Sequence, residues 1–152
     1  MSSLISSEAI IPALKAAGKK QALQEISERA ASLTGLSARE IYDALLQRER
    51  LGSTGTGEGV AIPHAKLARA SGMFALFARA ARPIEFESID NEPVDLIFAL
   101  IAPETAGADH LKALARLARM LRDPAVKTKL RAAHDRDALY AVLNEETTSH
   151  AA

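Results

Sequence analysis

Residues 94–101 form an almost unbroken apolar run, Val-Asp-Leu-Ile-Phe-Ala-Leu-Ile, preceded by Pro93. A run this short reads as a strand covered on both faces, since strands span about four to eight residues and buried helices are longer. Residues 60–62 and 73–79 are two further short apolar runs, and Pro, Gly or Asn bounds all three. A small, mostly buried sheet is therefore expected.

Helical patterns flank these strands. In residues 19–34, Ala22, Leu23, Ile26, Ala30 and Leu33 recur at helical spacing, and Gly35 follows where a helix end favours a residue tolerant of positive φ. Ser37-Ala38-Arg39-Glu40 fits a capping box for a second helix, with Ile41, Tyr42 and Leu45 inward and an end near residues 48–50. Residues 51–59 hold Gly52, Gly55, Gly57 and Gly59 among Ser and Thr, which predicts a loop. From Asp109 the pattern is helical again, with Leu111, Leu114, Leu117, Ala118 and Leu121 expected on the core face. Asp123-Pro124 and Asp135 read as N-caps of two more helices ending near Leu143, leaving residues 144–152 as a frayed tail. Helices before and after the strands predict a three-layer α/β/α domain, a small mixed sheet flanked by helices, spanning residues 1–152 as one unit.

Charge and composition narrow the function. The 19 basic and 19 acidic residues cancel and are interspersed along the chain, which argues against nucleic-acid binding, where clustered Lys and Arg dominate. There is no cysteine, hence no disulfide framework and no thiolate zinc site. The first residues show no basic stretch followed by a long apolar run, so a cytoplasmic protein without membrane insertion is expected.

The chemistry concentrates in residues 48–66, which contain Arg48-Glu49, Gly52-Ser53-Thr54-Gly55 and Ile62-Pro63-His64 in that order. Neutral imidazole is a nucleophile, and an unperturbed histidine with a pKa of about 6.5 is largely neutral near pH 7. A phosphoryl group on a ring nitrogen stays transferable, because imidazole is a tolerable leaving group. Pro63 restricts Ile62 and would hold His64 in one direction. The glycines allow backbone N–H groups to approach an anion, but the loop lacks the Gly-Lys-Ser/Thr ending of a nucleotide-binding P-loop. No nucleotide or other cofactor is expected. Metal is a poor fit as well, since a zinc site usually needs three or four His, Cys or carboxylate ligands.

These segments resemble the active-site motif of the mannitol/fructose-type enzyme IIA family of bacterial phosphotransferase systems. Residues 86–100, Phe-Glu-Ser-Ile-Asp-Asn-Glu-Pro-Val-Asp-Leu-Ile-Phe-Ala-Leu, resemble its nitrogen-related regulatory branch, which lacks a fused sugar permease. The resemblance runs from about Leu4 to Leu143. It implies that His64 is phosphorylated by a small phosphohistidine carrier of the HPr type, itself charged through an enzyme I-like protein from phosphoenolpyruvate. It further implies that Arg48 neutralises the phosphoryl group and that His110, in Asp109-His110-Leu111, lies beside His64. The output implied is control of partner proteins, with potassium-transport or sensor proteins as examples. The alternative is relay of phosphate to the IIB domain of a fructose/mannitol-type permease.

Each residue also has a plainer reading. Arg48 at a helix end could simply complement the helix dipole. Glu58 could orient the His64 ring or merely be solvated, and Ser53 and Thr54 could donate to a phosphoryl group or build the turn. His134 and His150 have no motif around them and are read as incidental.

Overall fold

In the computed structural model, which describes residues 5–149 and the side chains of residues 5–145, the chain folds as β1 (Ile10–Leu14), α1 (Lys19–Thr34), α2 (Ala38–Arg50), β2 (Gly55–Gly57), β3 (Val60–Ala61), β4 (His64–Leu67), β5 (Phe74–Ile84), β6 (Val94–Pro103), α3 (Ala108–Arg122), α4 (Pro124–Ala132) and α5 (Arg136–Ser149). The six strands form one mixed sheet in the order β1-β5-β6-β3-β2, with β4 also paired to β6. Strand β6 runs antiparallel to β5 and parallel to β3 and β4. Nearly every residue of β6 is buried, as expected of a strand covered on both faces. One helix group, α1 with α2, rests on β5 and β4, while α3, α4 and α5 pack together with α3 against β6 and α5 against β1. The architecture is the expected three-layer α/β/α. Phe77 of β5 and Phe98 of β6 are register partners, and their rings sit 5.1 Å apart in the fully buried centre.

The caps follow the sequence signals. Gly35 ends α1 in the left-handed region with φ 78°, and Ser37 accepts a hydrogen bond from the Glu40 amide at 3.2 Å. Asp123 caps α4 by accepting from the Ala125 amide at 2.9 Å, and Asp135 caps α5 by accepting from the Ala138 amide at 2.9 Å.

Several expectations need correction. Strand β1 carries Pro12 and was not anticipated. It occupies a sheet edge, where a missing N–H is tolerated, and its carbonyls are met by arginines: Pro12 O accepts from Arg79 Nε at 3.0 Å and Ile10 O from Arg136 Nε at 3.3 Å. The glycine-rich stretch contains strand β2, because β3 offers it an antiparallel partner despite a register shift. Leu33 (38% exposed) and Leu111 (67% exposed) lie outside the core. On α3 the buried positions are His110, Ala113, Leu117, Met120 and Leu121, so the inward stripe is displaced from the one that leucines alone suggest. Residues 144–149, expected in a frayed tail, continue α5 through Ser149; the rest of that expected tail, including His150, lies outside the described residues.

The displaced stripe makes a contrast that urea denaturation can read. Leu117→Ala should lower stability by about 2–5 kcal/mol through a core cavity, whereas Leu111→Ser should change it by no more than about 0.5 kcal/mol. Equal losses at the two positions would contradict this packing.

Candidate functional site

The segment joining β3 to β4 is Ile62-Pro63, and each of its backbone groups is assigned. The Ile62 amide donates to Thr54 O at 3.0 Å, and Pro63 O accepts from the Leu100 amide at 2.9 Å. His64 then opens β4, paired with Leu100 of β6. Its Nδ1 lies 2.8 Å from the Ile62 carbonyl oxygen. A carbonyl can only accept, so Nδ1 carries the proton and the lone pair resides on Nε2. Arg48 Nε donates to that Nε2 at 3.2 Å, which fits the same tautomer.

Arg48 stands in the last turn of α2, where a cation also complements the helix dipole. Its Nη1 donates to Gly52 O at 2.8 Å. The guanidinium is thus held between the loop and the ring, with its planar fork beside the nucleophilic nitrogen. His110 approaches from α3. The two imidazole centroids are 5.6 Å apart, edge to face. His110 is buried, and its Nε2 has no hydrogen-bond partner among the described residues. A buried polar atom without a partner is costly. Helix α3 begins after Gly107 without a side-chain cap, leaving first-turn N–H groups to favour negative charge nearby.

Both histidines are held below their ordinary value of 6.5. For His64 burial is the main cause, partly offset by the bond to Ile62 O and reinforced by the Arg48 charge. For His110 burial again leads, followed by the nearby His64 and Lys66. Neutral imidazole therefore predominates near pH 7.

Glu49, to which the sequence reading gave no separate role, anchors this geometry. It is buried, and its carboxylate accepts from the Thr54 amide at 3.0 and 3.2 Å and from the Thr54 hydroxyl. Lys19 Nζ closes the set with an ion pair at 2.9 Å and lies 5.0 Å from the Phe86 ring centre. A signal did exist, since a carboxylate in the last turn of a helix opposes the dipole and calls for compensation.

The remaining loop residues are engaged elsewhere. Ser53 Oγ donates to Phe86 O at 2.6 Å and accepts from the Gly55 amide at 3.0 Å, so both it and Thr54 build the turn. Gly55 is required there, because a Cβ would come within 2.9 Å of Ser88 Cβ. Glu58 does not supply the partner of His64 Nδ1, which is the Ile62 carbonyl; its carboxylate pairs with Lys127 Nζ at 3.2 Å. His134 is exposed between α4 and α5. Among the described residues no group of three or more His, Asp or Glu side chains could hold a metal ion, and no helix is long and apolar enough to cross a membrane.

A pH titration of the ring resonances by NMR should place both midpoints below 6.5. Because these folded-state values are depressed, the two rings favour the fold above pH 6.5, and that contribution is lost as pH falls through their folded midpoints. A midpoint at or above 6.5 for His64 would contradict the burial described.

A family model described as "Phosphoenolpyruvate-dependent sugar phosphotransferase system, EIIA 2" matches residues 3–146. The chain is 60% identical over 140 residues to a nitrogen regulatory protein of Bradyrhizobium diazoefficiens, covering 92% of each. It is 40% identical over 149 residues to the nitrogen regulatory protein of Escherichia coli K12, covering 95% of this chain and 90% of that one. The crystal structure of nitrogen regulatory protein IIA-Ntr from Neisseria meningitidis superposes with a TM-score of 0.87 at 31% identity, covering 92% of this chain and 96% of that one.

Proposed function

The chain belongs to the EIIA 2 family of the phosphoenolpyruvate-dependent phosphotransferase system, in its nitrogen-regulatory branch, and we propose that it accepts a phosphoryl group on His64 Nε2 from an HPr-like carrier and controls partner proteins through that modification. The observation that carries this reading is the ring of His64, fixed by Ile62 O with its lone pair facing Arg48. The bond formed is Nε2–P. The bond broken joins phosphorus to the donor's own phosphohistidine nitrogen, which keeps the electron pair and leaves as neutral imidazole when the other nitrogen of that ring already carries a proton.

Arg48 covers the lone pair in the bare protein. As phosphorus approaches, the Arg48 N–H transfers its hydrogen bond from Nε2 to an equatorial phosphoryl oxygen, where charge is largest. His110 supplies a second donor through its unpartnered Nε2, with the proton on that nitrogen. Arg48 offsets part of the phosphoryl charge, His110 positions the group as an uncharged donor, and neither needs to exchange a proton with it. Ser53, Thr54 and Glu58 act at a remove, by shaping the loop.

Leu51, 80% exposed, follows the helix end that bears Arg48, and the exposed Leu111 follows His110. Exposed apolar side chains next in sequence to site residues suit close docking of another protein. A doubly charged phosphoryl group on His64 changes the surface of the site. A partner that covers His64 then has to bury the charge that Arg48 leaves uncompensated and favours the bare form.

Phosphoenolpyruvate with matching enzyme I and HPr-like proteins should label the chain with acid-labile, base-stable phosphate, and His64→Ala should take up none. Arg48→Ala should slow transfer about a hundredfold, equivalent to about 3 kcal/mol, with Arg48→Lys recovering little. Acid-stable label, or label persisting in His64→Ala, would overturn the assignment. For the regulatory output, calorimetry should show captured partners binding bare and phosphorylated protein with different affinity. Equal affinity for every partner would favour relay to a IIB domain.

A further inference from the structure

We propose that the cleft between the β2–β3 hairpin and helices α3 and α4 is a second binding site, for a small carboxylate with an apolar body, and that Glu58 is its built-in competitor. The cleft encloses about 280 Å³, on the order of nine water volumes at about 30 Å³ each and room for an organic acid of about six to eight non-hydrogen atoms. Ile62, Ala118 and Leu121 give it an apolar wall, and Thr56, Arg122 and Lys127 contribute polar groups.

The unusual member is Lys127. Its side chain is 6% exposed, while that of its ion-pair partner Glu58 is 73% exposed. The ammonium has therefore given up most of its water for a carboxylate that keeps its own. An exposed carboxylate is screened by solvent and detaches easily. A ligand carboxylate seated in the cleft would pair with Lys127 away from water and bury apolar surface at the same time. Arg122 at the rim adds a planar fork suited to two carboxylate oxygens.

The backbone of Glu58 supports the competitor role. Glu58 adopts φ 57°, a left-handed conformation that a non-glycine residue holds only when its surroundings impose it. Here they do: its amide donates to Asp90 Oδ2 at 2.9 Å, and its carbonyl accepts from Arg131 Nη2 at 2.8 Å. The loop is pinned through its main chain, so the side chain is free to swing off Lys127 without unravelling the hairpin.

The local field points the same way. Although the whole chain is neutral, residues 110–131 contain seven basic residues and one acidic residue, Asp123; Lys127 and Arg131 are paired with Glu58 and Asp95, and Arg122 brings the excess to the cleft itself. The cleft also shares a residue with the reactive site. Ile62 lines it, and the Ile62 carbonyl orients His64, so an occupant presses on the residue that sets the reactive ring.

This site is tested on the bare, full-length protein, independently of phosphoryl transfer. The probes are 3-methylbutanoate, its neutral amide 3-methylbutanamide, and inorganic phosphate, titrated by NMR at neutral pH. Saturable shifts of the Ile62 and Lys127 amides are expected with 3-methylbutanoate, with the amide and inorganic phosphate each at least about tenfold weaker. Glu58→Gln should bind the carboxylate about tenfold tighter and Arg122→Gln about tenfold weaker, with both variants melting as cooperatively as the parent. No saturation, equal binding of the amide, or preference for phosphate would overturn the carboxylate site. Unchanged or weaker binding in a folded Glu58→Gln would overturn the competitor role.

Discussion

The carboxylate of Glu49 lies buried where α2 stops, and three neighbouring segments meet on it. Lys19 brings the start of α1, Thr54 brings the loop through its amide and hydroxyl, and Glu49 itself holds the end of α2. A buried carboxylate without such partners would be strongly destabilising. The contacts thus fix the depth and angle at which α2 ends, and the adjacent Arg48 inherits that placement. Removing Lys19 or Thr54 would leave the buried carboxylate short of a partner, so the arrangement tolerates little adjustment. Thr54 extends the chain of constraint, because its carbonyl accepts from the Ile62 amide, and Ile62 in turn orients the reactive ring.

The site works by restricting choices rather than by supplying reactive groups in quantity. One carbonyl selects the tautomer of His64. Burial and the Arg48 charge keep the ring neutral, and the guanidinium that covers the lone pair is the group best placed to follow the phosphoryl oxygens. His110 presents a buried nitrogen without a hydrogen-bond partner among the described residues. This preorganisation is what a transfer with a loose transition state requires, since positioning and charge provide most of the stabilisation.

Much of this was legible before any coordinates. The apolar runs marked β3, β5 and β6, and the caps at Gly35, Ser37, Asp123 and Asp135 marked helix ends because they reflect local hydrogen bonding. The motif placed Arg48, His64 and His110 in one family pattern, and the fold brings them together. What stayed hidden depends on tertiary partners. Strand β1 carries Pro12 and is defined by its pairing with β5, while β2 exists only through β3. Leu111 mimics a core position, yet the start of α3 turns His110 inward instead. Glu58 seemed placed to reach His64, but its partner Lys127 lies 69 residues away on α4, a separation that local sequence does not reveal. The basic concentration in residues 110–131 was visible in the sequence and masked by the neutral total.

The central claim is that the Ile62 carbonyl, by accepting from Nδ1–H, fixes the tautomer of His64 and leaves Nε2 as the nucleophile, so the modified atom is Nε2 of His64. The most direct measurement is a phosphorus–nitrogen coupling experiment on the enzymatically phosphorylated protein with ¹⁵N-labelled histidine. The coupling should connect phosphorus to Nε2 of His64, while Nδ1 keeps its proton. Coupling to Nδ1 of His64, or to either nitrogen of His110, would contradict the account.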